Sequence, residues 1–164
     1  LESGSMPLDR APVAVADVVE DALQLEATQA EAKALHVENQ VDASLPLGWV
    51  DRFLVNRVLQ NLLDNSIKFT PENGLIRLTA TEVDPVWVRV VVTNNGPQIE
   101  PEIREHLFGK FVTGSLEGRG NGLGLAFCRL AVEAHGGEIS VESDEHRTSF
   151  CFTLPSITSV QDEV

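Results

Sequence analysis

The stretch from Asp51 to Phe69 restricts this chain more than any other. Phe53, Leu54, Val58, Leu59, Leu62 and Leu63 recur there at helical spacing. They predict an amphipathic helix with a broad apolar face, and Asp51 is placed to cap its first turn. A face that wide needs a sheet or further helices to cover it. Asn61, Asn65 and Lys68 stand at i, i+4 and i+7 on the same helix. At 3.6 residues per turn they share one narrow stripe beside the leucines, so the stripe borders a half-buried cleft. An asparagine carbonyl oxygen suits a hard cation such as magnesium, and a lysine suits a phosphate. The same spacing also describes the polar edge of an ordinary amphipathic helix, and the stripe alone leaves both readings open.

The rest of the chain reads as mixed α and β. Pro12 to Val15 is a short edge strand, Ala16 to Leu35 a helix, His36 to Val41 a strand and Leu45 to Gly48 a turn. Leu75 to Val83 and Val86 to Thr93 alternate around Asp84-Pro85 as a hairpin. Pro101 to Leu107 is a short helix. Leu123 to Ala134 is another, stopped by Gly136-Gly137. Glu138 to Glu142 and Thr148 to Leu154 close the sheet. The expected fold class is α/β (α+β), a two-layer sandwich of a mixed, mostly antiparallel sheet with helices on one face.

Between Asn94 and Gly124 the texture changes, since seven of the 12 glycines fall there. Gly118-Arg119-Gly120-Asn121-Gly122-Leu123-Gly124-Leu125 runs straight into a helix. Glycines let backbone amides approach phosphate oxygens, and a helix N-terminus adds favourable partial charge. A flexible surface loop would look the same. The dinucleotide fingerprint fits poorly, because no buried strand precedes these glycines.

Composition narrows the partners. The 164 residues carry 25 acidic and 12 basic side chains, a net charge of -13. A nucleic-acid partner calls for a basic surplus and is not expected. No apolar run approaches the roughly 20 residues of a membrane helix, and Leu1 to Arg10 lacks the apolar core of a signal peptide. Membrane contact by this domain is therefore not expected. Cys128 and Cys151 sit singly in apolar contexts and read as reduced packing residues, with a disulfide between them as the alternative and no zinc spacing.

The stripe and the glycine run together resemble the ATPase superfamily shared by DNA gyrase, the ninety-kilodalton heat-shock chaperone and sensor histidine kinases. The histidine-kinase branch matches best, over nearly the whole chain. Leu59 to Thr70 resembles its asparagine box, and Asn94-Asn95-Gly96-Pro97-Gln98-Ile99 its first glycine box. Phe108-Gly109-Lys110-Phe111 resembles the phenylalanine box, and Gly120 to Leu125 the second glycine box, followed by Ala134-His135-Gly136-Gly137. Leu1 to Gly4 resembles the end of a preceding dimerisation helix.

This resemblance implies the histidine-kinase type of sandwich and a division into a linker (1–12), a catalytic ATP-binding domain (13–156) and a C-terminal tail (157–164). It implies transfer of the γ-phosphoryl of magnesium-ATP to a histidine on a dimerisation domain of the same parent protein, with a response regulator downstream. Location would be cytoplasmic, the parent being anchored to a membrane or not, and the isolated domain monomeric. Asn65 would ligate magnesium, Asn61 would line the γ-phosphate and Lys68 would contact phosphate. Gly120, Gly122, Leu123 and Gly124 would wrap the triphosphate. Glu100 to Arg119 would be the lid, tethered by Phe108 and Phe111. Lys110 and Arg119 are phosphate contacts or solvated lid charges. Asn61 stands where hydrolysing relatives carry a glutamate; an amide is no general base, which favours transfer over hydrolysis.

Three positions depart from the family pattern. Asn94 replaces the aspartate that accepts a hydrogen bond from the adenine amine, beside Gly96. A charge-assisted bond is worth roughly 1.5–3 kcal/mol against about 1 for a neutral one. Gln98 replaces a glycine and is expected to crowd the base or the lid hinge. Glu145-His146-Arg147 stands where a glycine turn is usual. Thr148, which follows, lines the adenine end or is simply a strand residue with a satisfied hydroxyl. These departures motivate an alternative, a degenerate pseudokinase module acting through protein contacts. A base preference shifted towards guanine is a third reading.

Overall fold

The computed structural model describes residues 6–109 and 123–161. Chain order is β1 (Ala11–Val13), α1 (Val15–Ala32), β2 (His36–Asn39), β3 (Gly48–Val50), α2 (Arg52–Phe69), β4 (Leu75–Val83) and β5 (Trp87–Asn94). Then follow α3 (Pro101–Arg104), α4 (Leu123–Ala134), β6 (Ile139–Ser143), β7 (Thr148–Pro155) and α5 (Ile157–Gln161).

Five strands form the main sheet in the order β2-β4-β5-β7-β6. Only β2 and β4 run parallel; the other pairs are antiparallel. Alternation decides which face is covered. Ile76, Leu78, Val88, Val90, Val92, Phe150, Phe152 and Leu154 are buried, while Arg89, Thr93, Ser149 and Thr153 between them are half-buried or exposed. The helices pack on the buried side, so the expected two-layer sandwich stands.

Helix α2 is central because it contacts α1, α4 and β5. Asp51 caps it, its Oδ1 accepting from Leu54 N at 3.1 Å. Leu59, Leu62 and Leu63 are fully buried, each contributing roughly 1.5–3 kcal/mol. Phe53 departs from expectation: it is 68% exposed. It precedes the turn at which α2 enters the core, and Val55 is buried in its place.

Two further differences lie at the N-terminal edge. The region read as a turn over Leu45 to Gly48 leads directly into β3, which pairs with β1 as a separate two-stranded sheet. Three residues carry no readable alternation, so β3 was invisible in sequence. Strand β1 ends at Val13, and α1 begins at Val15, one residue before the expected start. β1 opens at Ala11, within the stretch read as linker, and α5 lies within the stretch read as tail.

Candidate functional site

The C-terminal half of α2 meets the first turn of α4 at Asn61 and the residues after β5 at Phe69. Asn61 Nδ2 donates to Gly124 O at 3.3 Å, joining the asparagine stripe to the second glycine run across 63 residues of sequence. A Cβ on Gly124 would lie 3.4 Å from the Asn61 side chain, so the backbone approaches closely there. Behind Asn61, Cys128 is fully buried and its thiol reaches Val58 O at 3.6 Å. Burial pushes that thiol up to about 12, against a smaller lowering by Asn61, so it is inert at neutral pH. Both cysteines are free thiols.

Asn65 and Lys68 continue the stripe, each half-buried. Lys68 Nζ pairs with Asp64 Oδ2 at 2.9 Å, one turn back on the same helix. Both side chains are more than a third exposed, which makes this a weak, exchangeable pair. Asp64 lay inside the motif but was not singled out from sequence. Its spacing of four from Lys68 is the signal that marks it.

The other wall is the end of β5. Asn94 is buried, and its Oδ1 accepts from Gly96 N at 2.8 Å. Gly96 has no room for a side chain: a Cβ would fall 2.6 Å from Phe69 O and 2.9 Å from Asn94 Oδ1. This glycine therefore packs the turn after β5 against the last residue of α2. Thr148 is buried too, and its hydroxyl lies 2.7 Å from Ser143 Oγ. Ser143 Oγ also accepts from Ile99 N at 2.9 Å, and its carbonyl accepts from Arg104 at 2.7 Å. Ser143 was missed by sequence reading, because a strand-end serine carries no pattern of its own.

Gln98 is exposed. In place of a glycine turn, Asp144 Oδ1 accepts from the backbone nitrogens of His146 and Arg147 at 2.7 and 3.0 Å. Those bonds hold its carboxyl below the usual range and supply the turn chemistry otherwise given by glycine. Phe108 meets Phe150 edge to face with centroids 6.3 Å apart, anchoring the phenylalanine motif on β7. Leu123 opens α4. Lys110, Phe111, Arg119, Gly120 and Gly122 lie outside the described residues.

The asparagine helix thus meets both the glycine-led helix α4 and the turn after the buried polar residue ending β5. A family model described as histidine kinase-, DNA gyrase B-, and HSP90-like ATPase matches residues 50–158. The chain belongs to this ATPase family.

Within the family, the adaptive-response sensory kinase SasA of Synechocystis sp. is 37% identical over 147 residues, covering 88% of this chain and 38% of the relative. The chain therefore spans little more than a third of that relative's length. Full-length ShkA in complex with AMPPNP superposes with a TM-score of 0.83 at 29% identity, covering 93% of this chain and 32% of that one. The nucleotide-free catalytic domain of histidine kinase ThkA gives 0.81 at 30% identity, covering 90% and 98%. ThkA bound to the response regulator TrrA gives 0.79 at 29% identity, covering 93% and 43%. The part of an ATPase-family kinase that this chain matches is therefore its catalytic domain.

Proposed function

We propose that this domain binds magnesium-ATP and donates its γ-phosphoryl group to a histidine on a dimerisation domain outside these residues. The observation that carries the reading is the Asn61–Gly124 contact. It joins Asn61 of α2 to the start of α4, and a glycine-led helix N-terminus suits phosphate. The solved complex of ShkA with AMPPNP supports nucleotide binding by this fold, and that of ThkA with TrrA supports a response regulator as downstream partner.

The donor set fits magnesium of a particular kind. Among the described residues no group of three or more His, Cys, Asp or Glu could hold a metal. Magnesium typically takes one or two protein oxygens and completes its shell with substrate phosphates and water. Asn65 would supply the protein oxygen, and the bound ion would neutralise charge on the phosphates. Asn61 would orient the γ-phosphate, and Lys68 would leave Asp64 to meet phosphate oxygens. Gly124, with Leu123, Gly120 and Gly122, would bring backbone amides to the triphosphate, while Lys110 and Arg119 would add charge.

At the base end, Asn94, Gly96 and Thr148 would receive adenine. Gly96 N occupies one lone pair of the Asn94 carbonyl, so the second lone pair is what remains for the purine amine. No described helix is long and apolar enough to cross a membrane. A cytoplasmic location and a monomeric state for the isolated domain belong to the same proposal.

The experiment combines the domain with a separately produced, histidine-bearing dimerisation domain and γ-labelled ATP. Acid-labile, base-stable label on the second protein is expected, dependent on magnesium. No label with ATP or GTP, together with no nucleotide binding, would replace this reading by the pseudokinase module.

A further inference from the structure

Outside the nucleotide end, α1 and α2 separate over the β2–β4 edge and leave a cavity of about 240 Å³. Small side chains open it: Ala27 and Ala30 line it where larger residues would fill the gap. Leu23, Leu63, Ile67 and Ile76 give it an apolar lining. Glu26 and Glu31 also line it, and among the described residues no cation does.

Glu26 is the informative residue. Its Oε1 is buried and has no hydrogen-bond partner among the described residues. A buried carboxylate oxygen left unpaired is costly and calls for a partner. Neither nearby cation bonds Glu26 Oε1: Lys33 Nζ bonds the carbonyls of Ile67 and Lys68 at 2.6 and 3.2 Å, and Lys68 Nζ sits on Asp64. Burial and the neighbouring Asp64 both raise the Glu26 carboxyl, and Lys68 only partly opposes them. The place is short of positive charge.

We propose that this cavity is a binding site for a small primary amine carrying an apolar group, its ammonium on Glu26 and its hydrocarbon between Leu63, Ile67 and Ile76. Size and lining are adequate, since a dry apolar cavity of about 150 Å³ is enough to take up benzene. An ammonium supplies three donors with no acceptor, which matches an unpaired carboxylate oxygen among hydrocarbon. The inference does not rest on the nucleotide reading, because none of the lining residues belongs to the proposed ATP site.

The test titrates benzylammonium and its neutral counterpart benzyl alcohol into the 164-residue protein, read by amide chemical shifts. Benzylammonium is expected to saturate, shifting the amides of Leu23, Val37 and Ile76, with the alcohol about tenfold weaker. Glu26→Gln should abolish the difference between the two, and Ala27→Leu should block both by filling the space. Binding of neither probe would overturn the proposal. So would benzylammonium binding that is unchanged in Glu26→Gln, or shifts that centre on another surface. ATP titration of Ala27→Leu should be unaltered, which separates failure here from failure of the nucleotide site.

Discussion

Asn94 and Thr148 are direct partners at the end of the β5–β7 ladder, and both side chains are buried. Residues directly opposite in an antiparallel pair project to the same face. The β5 residue that departs from the family pattern therefore stands beside the threonine expected at the base end. The single side-chain oxygen of Asn94 already accepts from Gly96 N, and the Thr148 hydroxyl is engaged by Ser143.

Asn94→Asp should tighten magnesium-ATP about tenfold, because a carboxylate offers one oxygen to Gly96 and the other, charged, to the adenine amine. Calorimetric titration of the parent and the variant, with GTP as competitor, measures this. Equal or weaker ATP binding by the aspartate would show that position 94 does not meet the base.

Asn65→Ala should abolish phosphoryl transfer to the dimerisation domain while leaving the unfolding midpoint nearly unchanged, since Asn65 is half-buried and outside the core. Asn61→Ala should also cost about 1 kcal/mol of stability through the lost Gly124 bond. Transfer rates alongside thermal melts separate the two. Full activity in Asn65→Ala would remove it from the magnesium role.

Gly96→Ala should destabilise the domain by roughly 1–3 kcal/mol, as a methyl there is forced into Phe69 O. Nucleotide binding should fall with it, because the turn after β5 would be pushed off α2. Denaturant unfolding and ATP titration check both; an unperturbed melt would mean the turn relaxes freely.

His135 gives the pH dependence. Its Nε2 accepts from Asp51 N at 3.0 Å and its Nδ1 lies 2.7 Å from Ala131 O, a pattern that requires the neutral ring. Burial holds its pKa below the ordinary 6.5. The unfolded chain therefore takes up a proton before the folded one does. Its contribution is full above pH 6.5 and is lost as pH falls below that value. Stability of the parent should drop across that window, and His135→Ala should be less stable at neutral pH with a flatter profile. Identical pH profiles would exclude His135 as the source. In sequence this histidine stood only within the Ala134-His135-Gly136-Gly137 motif; the structure makes it the bridge from α4 to the cap of α2.

Much of this protein is legible in its sequence by itself. Helix α2 and its capping aspartate, the β4–β5 hairpin, the bounds of α4 and the closing strands all follow from periodicity and turn chemistry, which are local. The asparagine stripe with its glycine run pointed to the family for the same reason. Tertiary structure alone decided the rest. The β1–β3 pairing, the Ser143 bond to Ile99 and the His135 bond to Asp51 join residues far apart in the chain, and packing also decided the exposure of Phe53 and the gap that Ala27 and Ala30 leave beside Glu26. An alanine in α1 reads as a good helix former whether it meets a neighbour or a cavity. Only the packing of two helices on a sheet settles which, because a void is a property of the space between elements and not of any one of them.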